Sequence, residues 1–131
     1  MKKFNSELKE YEALEKQLMA LFRSGVYISA KDVQNIASQC GYDMPLKERE
    51  IALRNLLNKA KKEKNIDQVF DGIEQVIDEK VAQYQEYAKA YPNAQPIINT
   101  WKQKAKNSKM VIFSERKRVK ELAQKRAEDG E

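Results

Sequence analysis

The acidic residues between positions 67 and 78 have the spacing that most resembles a site with chemistry. Asp67, Asp71, Gly72 and Asp78 match positions one, five, six and twelve of a calcium-binding loop. The third position is Val69, whose side chain has no oxygen ligand, and the eighth is acidic where an apolar residue is expected. A helical repeat of apolar residues also runs through the segment, so we expect a helix here rather than a calcium loop.

The chain has no histidine, which removes most of the usual catalytic and metal sites. Ser-His-Asp and Cys-His nucleophiles, common zinc sites and the Glu-x-x-His sites of helical bundles all need one. The four glycines lie too far apart for a phosphate-binding loop. Glu74 and Asp78 share a helix face, but such pairs are usually solvated, and Cys40 on an apolar stripe is typical of a small buried residue. We therefore expect no enzyme activity, no metal and no cofactor.

Cations are concentrated near the end of the chain. Residues 99–127 contain ten lysines and arginines against two acidic residues, whereas residues 1–98 are balanced and three of the last four residues are acidic. Such a cluster attracts nucleic acid by releasing counterions. The ten candidate polyanion-binding residues are Lys102, Lys104, Lys106, Lys109, Arg116, Lys117, Arg118, Lys120, Lys125 and Arg126.

Two interpretations of this basic segment are open: a polyanion-binding arm over 102–126, or a solvated final helix. On a helix starting at Ser114, the consecutive cations at 116–118 spread around the axis instead of forming one stripe. Only Trp101 and Phe113 supply aromatic rings on which bases could stack. We favour the solvated helix and keep non-specific nucleic-acid binding as the alternative.

The length of 131 residues, with 41% hydrophobic and 34% charged residues, is that of one folded domain. Only four glycines and three prolines punctuate the chain, which favours long helices over a many-stranded sheet. The longest uncharged apolar run is four residues, Met110 to Phe113, much shorter than a membrane span. The chain opens with no signal-peptide pattern, and the single Cys40 forms no internal disulfide. We therefore expect a cytoplasmic protein with no membrane partner.

Helical periodicity and capping signals divide the chain into five or six helices. The clearest start signals are Phe4–Asn5–Ser6 before the first helix and a Ser29–Asp32 capping box before the second. The predicted helices cover about 6–24, 29–40, 43–64, 66–91, 96–105 and 114–127. Residues 1–108 then form a helical bundle, and residues 109–131 a basic C-terminal helix with an acidic tip. The predicted class is a compact all-α bundle in which the long fourth helix is central and packs against helices one and three.

The fourth helix carries the most regular pattern in the chain. Apolar residues recur along it alternately four and three apart for almost four heptads, with Lys80 as the one polar member. The last members are Tyr84, Tyr87 and Tyr91, and Trp101 follows after a turn. These four aromatic residues are the candidate partner-binding residues, although for the rings themselves we favour a cap on one end of the bundle over an exposed contact surface.

The expected function is protein binding rather than catalysis. The missing catalytic residue types and the long apolar-aromatic seam favour a helical adaptor, an assembly factor or a chaperone-like subunit. A seam that a small domain does not fully cover requires another protein or a second copy of the chain in a homodimer. The hypothesis predicts an exposed apolar patch of more than roughly a few hundred Å² along helix four or near Trp101.

Overall fold

Five α-helices and one short 3-10 turn make up the described part of the chain, and no strand occurs there. A computed structural model describes the backbone of residues 2–24 and 26–128 and the side chains of residues 12–23 and 26–125. The predicted all-α class is confirmed. None of the helices in these ranges combines the length and the apolar content that a bilayer crossing requires. The elements in chain order are α1 (Lys2–Ser24), α2 (Ala30–Gln39), α3 (Arg49–Glu63), α4 (Ile66–Ala90), the 3-10 turn (Pro92–Ala94) and α5 (Gln95–Glu128).

The long helix α4 is unbroken from Ile66 to Ala90, as its heptad pattern predicts. Pro92 follows the helix end and has no amide hydrogen with which to continue it. Because residues 67–78 are helical, they do not form the loop that a calcium site would need. Four apolar side chains of α4 are at most 1% exposed: Val69, Phe70, Ile73 and Ile77.

The capping box predicted before the second helix is confirmed. Ser29 Oγ accepts a hydrogen bond from the Asp32 amide at 3.1 Å, and Asp32 Oδ2 accepts one from the Ser29 amide at 2.9 Å. The start predicted for the first helix is wrong, because α1 is already helical at Lys2, before the Phe4–Asn5–Ser6 signal. The side chains of that signal lie outside the described residues, as does Gly25, which directly follows the predicted helix end at residue 24.

Helix α3 begins at Arg49, so the start predicted at 43–45 is wrong. Residues 42–48 form an irregular segment that is held by contacts with distant parts of the chain. The Gln34 side-chain amide donates to the Met44 carbonyl at 3.1 Å, and the Arg49 guanidinium donates to the Ile28 carbonyl at 3.1 Å. These long-range bonds override the local preference of Pro45 for a first helical turn.

Helix α5 is one helix of 34 residues, so the predicted break at 106–109 and the separate helix from Ser114 are wrong. Asn and Ser disfavour helix interiors because they compete with the backbone for hydrogen bonds. Ser108 is nevertheless 1% exposed, and its Oγ donates to the Lys104 carbonyl within the helix at 2.8 Å. The hydroxyl is thus satisfied without solvent, and the basic C-terminal helix is the second half of α5.

The core lies between α1, α2, α3, the first half of α4 and the middle of α5. The prediction that helices one, three and four form this core is incomplete, because α4 packs most extensively on α5. The buried core residues that α2 and α5 add are Val33, Ile36, Ala37, Ala105, Ile112 and Val119.

Candidate protein-interaction surfaces

The α4–α5 hairpin continues past the core as a two-helix arm, which we define as residues 82–104. Val81 and Ala105 are the hairpin residues next to the arm that pack against the core cluster. Within the arm only Ile98 is buried, and it does not belong to that cluster. The α4 part of the arm extends about 13 Å, from the helical rise of about 1.5 Å per residue. The arm therefore lies outside the hydrophobic core.

One side of the arm carries an aromatic face, which we define as Tyr84, Tyr87, Tyr91, Ile97 and Trp101. The Trp101 ring centroid lies 5.3 Å from that of Tyr84 and 6.3 Å from that of Tyr87, and the Tyr87 and Tyr91 centroids are 4.9 Å apart. All three pairs are tilted, an arrangement that aromatic rings favour. Ile97 lies one turn before Trp101 on the same side of α5. The structure thus brings together the four aromatic residues singled out in the sequence and adds Ile97.

The aromatic face is only partly covered. Tyr84 and Trp101 are half-buried, whereas Tyr87 is 46%, Tyr91 59% and Ile97 50% exposed. Burial raises the pKa of Tyr84 above its ordinary value, so its phenol is neutral at physiological pH. Tyr84 and Trp101 are therefore partly covered, whereas Tyr87, Tyr91 and Ile97 are largely open to solvent.

The seam of α4 is longer than the bundle that covers it, which explains the exposure. Ile73 and Ile77 are fully buried, and the next seam residue, Lys80, pairs with Asp32 at the start of α2 at 3.3 Å. Beyond Lys80 the seam continues as the three tyrosines, and there α5 contributes Trp101 against it. The seam residues in the first half of α4 are therefore buried by the bundle, whereas Tyr87 and Tyr91 in its second half are exposed to solvent.

Ion pairs join α5 to the first half of α4. Arg116 bonds Asp71 at 2.8 Å and Asp67 at 3.1 Å, and Lys109 bonds Asp78 at 2.8 Å. The hydrogen bond that the Lys109 ammonium donates to Asp78 raises the pKa of Lys109. Burial disfavours the charge on Arg116, but the bonds to both aspartates outweigh burial and raise its pKa. Partly exposed pairs contribute at most about 1 kcal/mol each, so their main effect is to select the register of the antiparallel hairpin.

The continuous α5 places six of the ten predicted polyanion-binding residues on one face. From the helical repeat, these six and the residues between them on that face lie within about a third of the helix circumference. Arg116, Lys117 and Arg118 are spread around the axis as expected, but the continuous helix aligns Arg116 and Lys117 with the lysines before Ser114. Lys104, Arg118 and Lys125 lie on other sides of α5, and the side chain of Arg126 lies outside the described residues. We define the basic stripe as Lys102, Lys106, Lys109, Met110, Phe113, Arg116, Lys117 and Lys120.

The two apolar members of the basic stripe were not identified as site residues from the sequence. Met110 is 63% and Phe113 67% exposed. They lie three residues apart on the side of α5 opposite Ser108 and Ile112, which face the interior. If α5 had been predicted as one helix, the spacing of its buried residues would have placed Met110 and Phe113 on the solvent side.

Metal-ligand groups and the single thiol were the other features that could carry chemistry. No group of three or more Cys, Asp or Glu side chains that could hold a metal ion occurs among the described residues. Cys40 is partly buried, and burial, with a smaller contribution from Asp71, raises the pKa of its thiol. A protonated thiol is a weak nucleophile. The two exposed surfaces on α4 and α5 are therefore the stronger candidates for function.

Comparison of the chain with protein-family models, curated proteins and solved structures finds no match.

Proposed function

We propose that this protein is a non-catalytic helical module that binds another protein through the aromatic face of the α4–α5 arm. The observation that carries the proposal is the exposure of Tyr87, Tyr91 and Ile97 beside the half-buried Trp101. With about 200 Å² for a large side chain, the three exposed residues present roughly 300 Å² of largely apolar surface. Soluble proteins that expose a patch of this size often use it for recognition.

The chemistry of the face suits a protein partner better than a polyanion. Tyr and Trp are enriched at interface hot spots because they bury a large area while keeping a polar group at the edge. The one cation in the α4 seam, Lys80, is already paired with Asp32. A neutral aromatic surface next to a paired lysine offers few contacts to phosphate and many to apolar side chains.

The size of the face favours a different protein over a second copy. A two-fold pairing of two such faces would bury roughly 600 Å², about half of the ~1,200 Å² at the lower end of stable interfaces. A different protein can extend beyond the arm, for example as a helix laid along α4 and α5. We therefore expect the purified chain to be a monomer at micromolar concentration, with the partner supplied by the cell.

A site-specific crosslink in the full-length protein tests the proposal. A photoreactive phenylalanine replaces Tyr91 in one variant and Tyr27 in the control, because Tyr27 is 63% exposed, close to the 59% of Tyr91, but lies in the connection between α1 and α2. We expect a defined adduct from position 91 that is absent from position 27 and is lost when Tyr87→Ser is added. The partner identified from the adduct, once purified, should bind the Tyr87→Ser variant at least roughly tenfold more weakly than it binds the native chain, as expected for an aromatic hot spot.

The outcomes separate the alternatives. An adduct of twice the chain mass would identify a homodimer and replace the hetero-partner proposal. Equal labelling from positions 27 and 91, or binding that ignores Tyr87→Ser, would refute an interaction through the aromatic face.

A further inference from the structure

The basic stripe carries a second inference, independent of the aromatic face. Two of its cations, Lys109 and Arg116, are bound to aspartates of α4. The other four make no ion pair with any described side chain: Lys102, Lys106, Lys117 and Lys120. We propose that the stripe binds an acidic amphipathic helix of a partner protein. Its apolar residues would lie on Met110 and Phe113 and its carboxylates on the four unpaired lysines.

The apolar pair supplies the anchor. Phe113 and Met110 are the two most exposed large apolar side chains among the described residues of α5, at 67% and 63%. A shallow depression of about 340 Å³ beside them is lined by Lys106, Lys109 and Ser114. The aliphatic parts of the two lysines extend the apolar surface while their ammonium groups stay in water. Methionine adapts its shape to different partners, which suits a surface that receives a helix.

The charges are arranged along the length of a helix. Lys102 and Lys106 precede the apolar pair and Lys117 and Lys120 follow it, so that cations lie at both ends of the anchor. From residue 102 to residue 120 the stripe is about 27 Å long, which a partner helix of about five turns would span. Charge complementarity of this kind selects acidic partners and fixes their orientation.

The width of the stripe disfavours broader anionic partners. Asp67, Asp71 and Asp78 border the stripe on the α4 side and are 60 to 65% exposed. A helix of about 10–12 Å diameter can lie on the lysine side alone, whereas a nucleic-acid duplex or a membrane would also cover the aspartates. A single strand is narrow enough, but Phe113 is the one exposed ring on the stripe for stacking, and Met110 would contribute little.

The test uses full-length protein and fluorescein-labelled probes in equilibrium anisotropy. The first probe is a Glu-rich peptide of about 20 residues with leucines at helical spacing, and the second has the same composition in scrambled order. A single-stranded oligo-dT of about 20 nucleotides is the third. We expect the patterned peptide to bind at least roughly tenfold tighter than the scrambled one, the usual scale of a packed apolar anchor.

Matched variants assign the binding to the stripe. Phe113→Ser should weaken the patterned peptide roughly tenfold and leave the scrambled one unchanged. Lys106→Gln with Lys117→Gln should weaken both peptides and reduce their salt dependence. Tyr91→Ser, on the aromatic face, should change neither, which distinguishes this surface from the one proposed above. All four side chains are exposed, and unchanged circular dichroism would confirm that the fold is retained.

Three results would overturn the proposal. Equal affinity for patterned and scrambled peptides would show attraction to negative charge alone. Tighter binding of oligo-dT that is insensitive to Phe113→Ser would favour the nucleic-acid alternative over residues 102–126. If the patterned peptide did not bind at a protein concentration of about 100 μM, which is about 100 times a Kd of 1 μM, the stripe would be only a solvated face.

Discussion

Helices α2 and α4 approach each other closely at Gly72. We predict that Gly72→Ala lowers the free energy of unfolding when Ile36 is present and raises it when Ile36 is replaced by alanine. A Cβ atom added at Gly72 would lie 2.8 Å from Ile36 Cγ2 and 3.3 Å from Ile36 Cγ1, whereas carbon atoms normally pack at about 3.5–4.0 Å. Ile36 is 1% exposed and β-branched, so its side chain has neither room nor a second rotamer of similar energy. The overlap has to be relieved by moving one helix or straining the side chain.

The magnitude follows from two opposing effects. Overpacking a core in this way costs about 1–3 kcal/mol, and replacing glycine by alanine within a helix gains about 1 kcal/mol. Gly72→Ala should therefore lower the free energy of unfolding by about 1 kcal/mol, equivalent to a fall in Tm of roughly 4 °C for a chain of this length. With Ile36→Ala both contacting carbons are removed, and the same Gly72→Ala change should then raise the free energy of unfolding by about 1 kcal/mol.

Urea unfolding of the four proteins in this double-mutant cycle measures the effect. We expect a coupling energy of about 2 kcal/mol, within the range of contacting residues. Ala82→Gly, at an exposed position of the same helix, is the matched control and should cost about 1 kcal/mol through helix propensity alone. If Gly72→Ala were stabilising in the native background, or had the same sign in both backgrounds, α2 and α4 would not approach as closely as described.

Two further predictions concern ionisable groups at the margin of the core. Because burial raises the pKa of Cys40, a disulfide reagent at about pH 8 should modify it at least roughly tenfold more slowly than after unfolding in urea; equal rates would show an accessible thiolate. Burial also raises the pKa of Tyr42, with Cys40 and Glu63 adding to the rise and the Asn65 hydrogen bond opposing it. The unfolded state then releases this proton first, so stability is fully present below about pH 10 and falls as pH rises through the folded pKa. Urea midpoints above about pH 10 should therefore fall more steeply for the native chain than for Tyr42→Phe, and identical slopes would contradict this reasoning.

The elements that could be predicted are those set by local or regular signals. The heptad repeat predicted the bounds of α4 to within one residue, because only a continuous helix places apolar residues with this spacing on one side over such a length. The capping box before α2 was equally clear, since Ser29 and Asp32 satisfy each other's backbone amides whatever surrounds them. Both signals are complete within a single segment.

The errors arose where distant contacts decide the local structure. The start of α3 depends on Arg49, whose guanidinium reaches the carbonyls of Phe22 and Ile28 at 3.4 and 3.1 Å. Nothing in residues 43–49 indicates those partners. Propensity therefore placed the helix start at Pro45, where an isolated peptide would have favoured it.

A signal for the continuous α5 was present but concealed. Eight of its residues alternate three and four apart through the predicted break: Ile98, Trp101, Ala105, Ser108, Ile112, Glu115, Val119 and Leu122. Ser108 and Glu115 interrupt the apolar character of this seam, and each satisfies its polar group locally. Ser108 donates to the Lys104 carbonyl, and Glu115 pairs with Arg118 at 2.8 Å.

The aromatic cluster was predictable, and its exposure was not. A turn at Pro92 must fold α5 back along α4, which brings Trp101 near the tyrosines. Whether those rings are covered depends on where α1, α2 and α3 end relative to the hairpin, and no periodicity within α4 carries that information. The exposed fractions of Tyr87 and Tyr91 therefore required the structure.

The register of the α4–α5 hairpin connects the two proposed surfaces. Arg116 and Lys109 set that register from the basic stripe, and the same register places Trp101 against Tyr84 in the arm. If α5 slipped along α4 by one helical turn, about 5.4 Å, Trp101 would separate from Tyr84. The aromatic face and the basic stripe would still not meet, because the two surfaces lie on different sides of α5. The ion pairs on the stripe thus favour the same register that forms the aromatic face, and the two surfaces remain separate on α5.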